Sequence, residues 1–344
     1  MKEKKTLNIL YLTPYFSSKR GNATTAKRMQ EYLKKAGLKV NVFAFDEEAG
    51  SIEGYLAQVD IVHALHVRRT AEWLSSTGIS IQKPFIITTG GTDINVDLKE
   101  KHKKNRMQKL LEKADALTVF TKDGKEKVLR HFPQFSEKVQ VIPQAVPLPI
   151  TNKEVQFSLP AGSPNILLPA GLRPVKDVLY VLKELDELKQ IFCNLEFVLI
   201  GEALDEDVEM QVIRAAKQRP WFTYLPPVEQ EEMHALYDWA DAVINTSQSE
   251  GQPVSLLEGM SEGVPVLARN NPGNQSVIKH SYNGYLFSSP EEFFKLFYQL
   301  FSHQNLYKRL SEQARDYVFT HHHPEEEADK YIRLYKKILQ QICK

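Results

Sequence analysis

The chain of 344 residues has only two cysteines, Cys193 and Cys343, far apart and without CxxC or CxxH spacing. A disulfide framework and a cysteine-based zinc site are thereby excluded, and a reducing compartment, the cytoplasm, is expected. Neither sign of charge is in excess, since 44 basic residues face 43 acidic ones for a net charge of +1. Nucleic acid recognised through bulk charge is therefore not an expected partner. No apolar stretch approaches the roughly 18 to 20 residues that span a bilayer, so no transmembrane segment is expected and peripheral contact is the most a membrane could have. The apolar run Leu7–Leu12 leads into Pro14 without a small-residue cleavage site, and reads as a buried first strand rather than a signal peptide. There is no GxGxxG, which counts against a dinucleotide cofactor. With 16 glycines and 18 prolines against 42% hydrophobic and 25% charged residues, disorder is excluded as well.

What is present is an alternation of short Ile, Val and Leu runs with longer stretches of helical periodicity, the pattern of parallel βα units. The first set of runs is Leu7–Leu12, Lys39–Ala44, Asp60–Leu65, Phe85–Thr89, Ala116–Phe120 and Val139–Ile142. The second is Asn165–Ala170, Glu196–Ile200, Phe222–Leu225, Ala242–Thr246, Pro265–Ala268 and Gly284–Phe287. Between them lie Pro143, Pro147, Pro149, Pro160 and Pro164, too many for a helix or a central strand. This length suits two domains of roughly 150 residues each. The expected division is a first α/β domain over 1–150, a linker over 151–164, a second domain over 165–320 and a terminal helical segment over 321–344. The run His321–His323 invites a metal reading, but adjacent residues cannot converge on one ion from a regular element. Pro324 with Glu325–Glu327 reads instead as a helix start.

Doubly wound sheets bind ligands outside the carboxyl ends of their strands, so chemistry is sought just after strands. The segment Ser247–Glu258 follows one, with Pro253 suited to the first turn of a helix. Glu250 then lies in the loop, Glu258 lies inside the helix, and the amides of Val254 and Ser255 are free to attract an anion. Two readings stand on these residues alone: carboxylates that meet hydroxyls of a phosphate-bearing ligand, or a dipole-complementing Glu250 and a surface Glu258.

The run from Leu225 to Phe287, with EGQPVSLLEGM, GVPVLA and NGYLF in order, resembles the C-terminal domain of retaining glycosyltransferases of the GT-B fold, family 4. Within it, PVLARNNPGN most resembles the glycosyltransferase 1 domain-containing proteins. The resemblance implies two Rossmann-like domains of doubly wound parallel sheet facing a cleft, with the last helix returning to the first domain. It implies metal-independent transfer of a hexosyl group from a nucleoside diphosphate sugar to an acceptor hydroxyl. UDP-sugars are the first choice of donor and GDP-sugars the second; the acceptor is unknown and no cofactor is expected.

The resemblance also assigns residues. Glu250 faces the donor sugar, Glu258 the ribose hydroxyls, and the amides of Val254 and Ser255 the diphosphate, with Gly251 and Gln252 in the same donor-binding loop. Arg173 and Lys176 of GLRPVKD neutralise the leaving diphosphate, although two residues separate them here where four are usual. The backbone of Val228, before an expected helix Glu229–Trp239, meets the base. Gly21 brings backbone near the diphosphate, with Asn22 replacing a frequent second glycine. In Thr88–Asp93, Gly90 stands where many relatives carry a sugar-contacting histidine, so His66, Gly90 and Asp93 mark the sugar or acceptor side. His63 fits a packed core equally well. The basic run Lys99–Arg106 is either a site for an anionic acceptor or membrane surface, or a solvated helix face. Two alternatives of other kinds are a catalytically weak nucleotide-sugar-binding protein and a sugar-nucleotide epimerase.

Overall fold

The computed structural model describes residues 6–147 and 158–342, in two compact units. Unit 1 comprises residues 1–144 and 324–344, and unit 2 residues 145–323.

Unit 1 holds β1 (Asn8–Thr13), β2 (Lys39–Ala44), β3 (Ile61–Leu65), β4 (Phe85–Thr88), β5 (Ala116–Val119) and β6 (Val139–Val141), in the parallel order β2-β1-β3-β4-β5-β6. Its strands read as nearly continuous apolar runs because helices cover both faces of the sheet. Ile9, Leu10, Tyr11 and Leu12 are all at most 1% exposed. On one face the terminal helix Pro324–Ile342 brings Tyr331, Leu334, Tyr335 and Ile338 into the same cluster as Ile9, Met29 and Leu65. That helix is fastened by a buried ion pair, Arg28 Nε to Glu327 at 2.8 Å. His63 sits under it, with Nδ1 2.7 Å from the Tyr335 hydroxyl and Nε2 2.6 Å from Thr88 Oγ1. Burial pushes the His63 pKa down to about 3, so the ring is neutral and belongs to the core.

Unit 2 holds β7 (Asn165–Pro169), β8 (Glu196–Ile200), β9 (Phe222–Leu225), β10 (Ala242–Asn245), β11 (Val266–Arg269) and β12 (Tyr285–Phe287), in the parallel order β12-β11-β10-β7-β8-β9. Two of its outer helices carry side-chain caps. Asp205 accepts from the Val208 amide, and Ser289 caps Pro290–Ser302 with proline in its first turn.

Several boundaries differ from the sequence expectation. The first unit ends at Gln144 rather than 150, because Gln144 Oε1 accepts from Thr25 Oγ1 at 2.9 Å in unit 1 while Val146 is buried in the unit 2 core and its amide donates to His322 O. Unit 2 runs on to His323 rather than 320, since His321 closes the helix Gln304–His321 before Pro324 opens the last one. Of the expected linker 151–164, residues 151–157 lie outside the described residues, while Pro160 O accepts from the Trp239 indole at 2.8 Å as part of unit 2. The helix expected from Glu229 starts at Met233, because the Glu232 carboxylate accepts from the Glu229 amide at 2.9 Å and closes a turn first.

Candidate active site

Each sheet reverses its strand order once, and such a reversal leaves a crevice beyond the carboxyl ends of the two strands beside it. In unit 2 the reversal lies between β7 and β10, where Ile166 and Leu167 pair with Ala242 and Val243. β7 runs out into the tight turn Pro174–Lys176, and β10 into the loop that carries Glu250. The two segments are stitched together: Gln248 N donates to Val175 O at 2.9 Å, and Thr246 Oγ1 to Lys176 O at 3.0 Å. Arg269, ending β11, pairs with Asp177 at 2.7 Å and lies 3.7 Å from the Tyr180 ring centroid.

The stitching sets Lys176 Nζ 2.6 Å from Glu250 Oε1, with the side chains 16% and 12% exposed. The same oxygen accepts from Asn245 Nδ2 at 3.0 Å and Ser247 Oγ at 2.7 Å. Burial pushes the Glu250 pKa up, but the Lys176 charge and these hydrogen bonds outweigh it and hold the carboxyl below its ordinary value. Glu250 is thus an anion held by side chains that can also turn to a ligand. Arg173, at the mouth of the same turn, has a buried Nε with no hydrogen-bond partner. A guanidinium donor left so is costly until an acceptor arrives, and an anionic ligand is such an acceptor.

Behind Glu250 stands a buried asparagine lattice absent from the sequence assignment. Asn245 Oδ1 accepts from Ser247 N and Asn274 Nδ2, and Asn271 Nδ2 donates to Ser247 O at 2.9 Å. Gly273 lies so close that an added Cβ would sit 2.5 Å from Glu250 Cβ and from its carbonyl oxygen. The NNPGN run was visible in the sequence, but nothing there says that it backs a residue so far upstream.

Gly251 and buried Gln252 continue the loop into the helix Val254–Ser261, whose start has no side-chain cap. Val254 and Ser255 are its first two residues, so their amides are among those that a helix leaves unpaired internally. One turn on, Glu258 accepts from Gln230 Nε2 at 2.6 Å and from the Tyr237 hydroxyl at 2.7 Å. Burial and the Glu258 charge push the Tyr237 pKa well up, so it stays a donor. Gln230 and Tyr237 went unassigned because Glu229–Trp239 was read only as the helix that follows Val228. A narrow pocket beside Glu258 is lined by these two with His234, Ser261, Glu262 and Pro147. Val228 packs on the core of this unit just after β9.

In unit 1 the reversal lies between β1 and β3. Gly21 and Asn22 open the helix Gly21–Lys35 after β1; its start has no side-chain cap and the space around Gly21 is open. His66 follows β3 and Gly90 follows β4. His66 has φ 77°, a left-handed conformation that strains a residue with a Cβ. Its Nδ1 lies 2.6 Å from Asp93 Oδ1. A Cβ at Gly90 would meet His66 Cδ2 at an ordinary 3.6 Å, so the imidazole lies beside the place where Gly90 lacks a side chain.

The placement of Asp93 on the sugar side needs correction. It is 0% exposed, and its carboxylate accepts from the amides of Val67, Arg68 and Gly90 at 2.9, 3.3 and 2.8 Å. Burial raises its pKa, but His66 and these amides outweigh it and leave it lowered. Asp93 therefore stands behind His66 and positions it. Asp97 brings a third ligand atom within 4.8 Å, a spacing a cation could use. Arg68 Nε at 2.8 Å and Lys103 Nζ at 3.3 Å already meet the Asp97 charge, so the cluster is an ion-pair network of the chain itself.

Among the described residues no helix is long and apolar enough to cross a membrane. The pattern of the family described as "Glycosyl transferases group 1" matches residues 150–317. Over 329 residues the chain is 31% identical to glycosyltransferase 1 domain-containing protein 1 of Xenopus tropicalis, which spans 91% of this chain and 93% of that protein. Among solved structures, sucrose-phosphate synthase from Thermosynechococcus elongatus has a TM-score of 0.80 at 14% identity, covering 97% of this chain and all of that one. HepE from Anabaena, solved in complex with UDP and glucose, has a TM-score of 0.77 at 14% identity, covering 96% and 99%. The structural likenesses give the GT-B fold, and the relative matched over more than nine-tenths of both chains gives the kinship: the chain belongs to the group 1 glycosyl transferases.

Proposed function

We propose that the protein moves a hexosyl group from a nucleoside diphosphate sugar to an acceptor hydroxyl, with retention of configuration. The observation that carries this reading is the site at the β7–β10 reversal. There an ionised Glu250 is paired with Lys176 beside an unpartnered Arg173 Nε and a helix start without a side-chain cap. A leaving diphosphate needs concentrated positive charge, and Lys176, Arg173 and the amides of Val254 and Ser255 offer it without a metal ion. When phosphate oxygens draw Lys176 away, Glu250 is freed to accept from hydroxyls of the donor sugar. Glu258 meets the ribose hydroxyls, Val228 meets the base through its backbone, and Gly251 and Gln252 complete the donor-binding loop. From unit 1, Gly21 and Asn22 serve the diphosphate, and the His66 imidazole, set by Asp93, serves the sugar where Gly90 supplies no side chain.

The acceptor attacks from the face the diphosphate leaves, and the leaving phosphate takes its proton. The chain contributes position and charge rather than a nucleophile. UDP is the first nucleotide to try, since HepE is solved with it. The exposed thiol of Cys193 suits a cytoplasmic location. Gly90 gives one specific ground for a second reading, a nucleotide-sugar-binding protein with little turnover.

Calorimetry with UDP and GDP, then transfer assays in chelator with the product followed by NMR, test the proposal. Lys176→Ala should weaken diphosphate binding by about 1.5 to 3 kcal/mol and barely affect the nucleoside, and Glu258→Ala should weaken both by about 1 to 3 kcal/mol. Unchanged diphosphate affinity in both variants refutes the site. Magnesium-dependent turnover or an inverted product refutes the mechanism, and tight donor binding without turnover selects the second reading.

A further inference from the structure

Unit 1 carries a groove of about 230 Å³ that the proposed transfer does not use. It lies between the helices Val67–Thr77 and Lys101–Lys113, floored by Leu74, Ile79 and Leu110 and walled by Arg106, Lys109 and Lys113. Phe85, which also lines it, opens β4, so the groove sits at the amino ends of the strands. His66 and Gly90 follow the carboxyl ends of β3 and β4, a full strand length away. A molecule held in the groove is therefore not a substrate in place for transfer.

The three basic residues stand at positions i, i+3 and i+7 of one helix and face the same way. Lys109 and Lys113 are exposed and, among the described residues, have no acidic partner. Arg106 is half exposed and only 3.7 Å from Glu72, a loose pairing. Long cationic side chains rest their methylenes on apolar surface and keep their charge at its rim, so this wall offers positive heads directly above an apolar floor. The volume falls below the roughly 300 to 1,000 Å³ of sites for drug-sized molecules, which suits one slender chain better than a ring system.

We propose that this groove binds a single-chain anionic amphiphile taken up as a monomer, its chain on Leu74, Ile79 and Leu110 and its head among Arg106, Lys109 and Lys113. Of the basic run Lys99–Arg106, Arg106 is the residue that lines the groove.

Calorimetry on the full chain with octanoate, decanoate and decan-1-ol, each below its aggregation limit, tests it. Decanoate should bind saturably at one site and more tightly than octanoate, by roughly four-fold for each added methylene that is buried. Decan-1-ol should bind at least roughly ten-fold more weakly than decanoate, and Lys109→Glu with Lys113→Glu should cost decanoate a similar factor. Both lysines are exposed, so the double variant should keep the wild-type melting temperature without ligand, and UDP affinity should not change. The proposal is overturned by absent decanoate binding, by equal binding of the alcohol, by binding that survives the charge reversal, or by attachment to anionic phosphatidylglycerol vesicles without any monomer binding.

Discussion

Two carboxylates, partly buried Glu250 in unit 2 and fully buried Asp93 in unit 1, stand just beyond strand ends, and each is held below its ordinary pKa against burial. Their donors differ in kind. Glu250 accepts from the side chains of Lys176, Asn245 and Ser247, whereas Asp93 accepts from the backbone amides of Val67, Arg68 and Gly90. Side-chain donors can rotate toward a ligand, while amides at a helix start cannot leave without unfolding the turn. The difference separates a carboxylate poised for exchange from one built into the fold.

Replacing each carboxylate should split their roles most widely. Asp93→Ala leaves several buried donors unpaired and removes the partner of His66, so denaturant unfolding should show a loss of about 3 to 5 kcal/mol. Glu250→Gln keeps the shape of a side chain that is 12% exposed but leaves Lys176 without its anion. It should cost about 1 to 3 kcal/mol of stability, less than Asp93→Ala, while donor turnover falls at least roughly a hundred-fold. A stable Asp93→Ala protein, or a Glu250→Gln protein that turns over normally, would erase the distinction.

Two glycines sharpen the comparison at smaller cost. A Cβ at Gly273 would lie 2.5 Å from backbone and side-chain atoms of Glu250, so Gly273→Ala must displace that loop, with about 1 to 3 kcal/mol lost and turnover reduced. A Cβ at Gly90 meets nothing closer than 3.6 Å, and Gly90→Ala should stay within about 0.5 kcal/mol of wild type. Equal stability losses in thermal melts of the two variants would mean that the Glu250 loop is not seated on Gly273 as described.

The same contrast explains what could be read in advance. The strands of the described residues were legible, the central ones because parallel strands buried on both faces are apolar without interruption, as Ile9–Leu12 and Ile166–Leu168 are. Lys176 and Glu250 stood out because side-chain chemistry leaves a spelling in the sequence. The support of Asp93 is backbone and has none, so its burial behind His66 was invisible and it was placed on the sugar side. Gly273 and Asn274 lay in PVLARNNPGN, which carried only a resemblance, and it is the chain path that brings them to Glu250. The late start of the helix at Met233 depends on one Glu232 hydrogen bond that periodicity does not record.

The smallest effect belongs to His234, which lines the pocket next to Glu258 and lies with Nδ1 2.5 Å from Glu262. The Glu262 hydrogen bond raises the His234 pKa, and burial, which opposes it, is the lesser influence. A histidine whose folded pKa exceeds its unfolded value near 6.5 stabilises the fold fully below that value and loses the contribution as pH rises through the folded pKa. The pair is about one-fifth exposed on each side, so the effect should be under about 1 kcal/mol. Unfolding free energies of wild type and His234→Gln should therefore differ most near pH 6 and converge as the solution becomes alkaline. The Glu262 carboxylate meets His234 through a side chain, on the exchangeable side of the comparison. A bound nucleotide that engages Glu258 should thus shift the pH at which the curves converge, whereas ligand-independent convergence would detach His234 from the donor pocket.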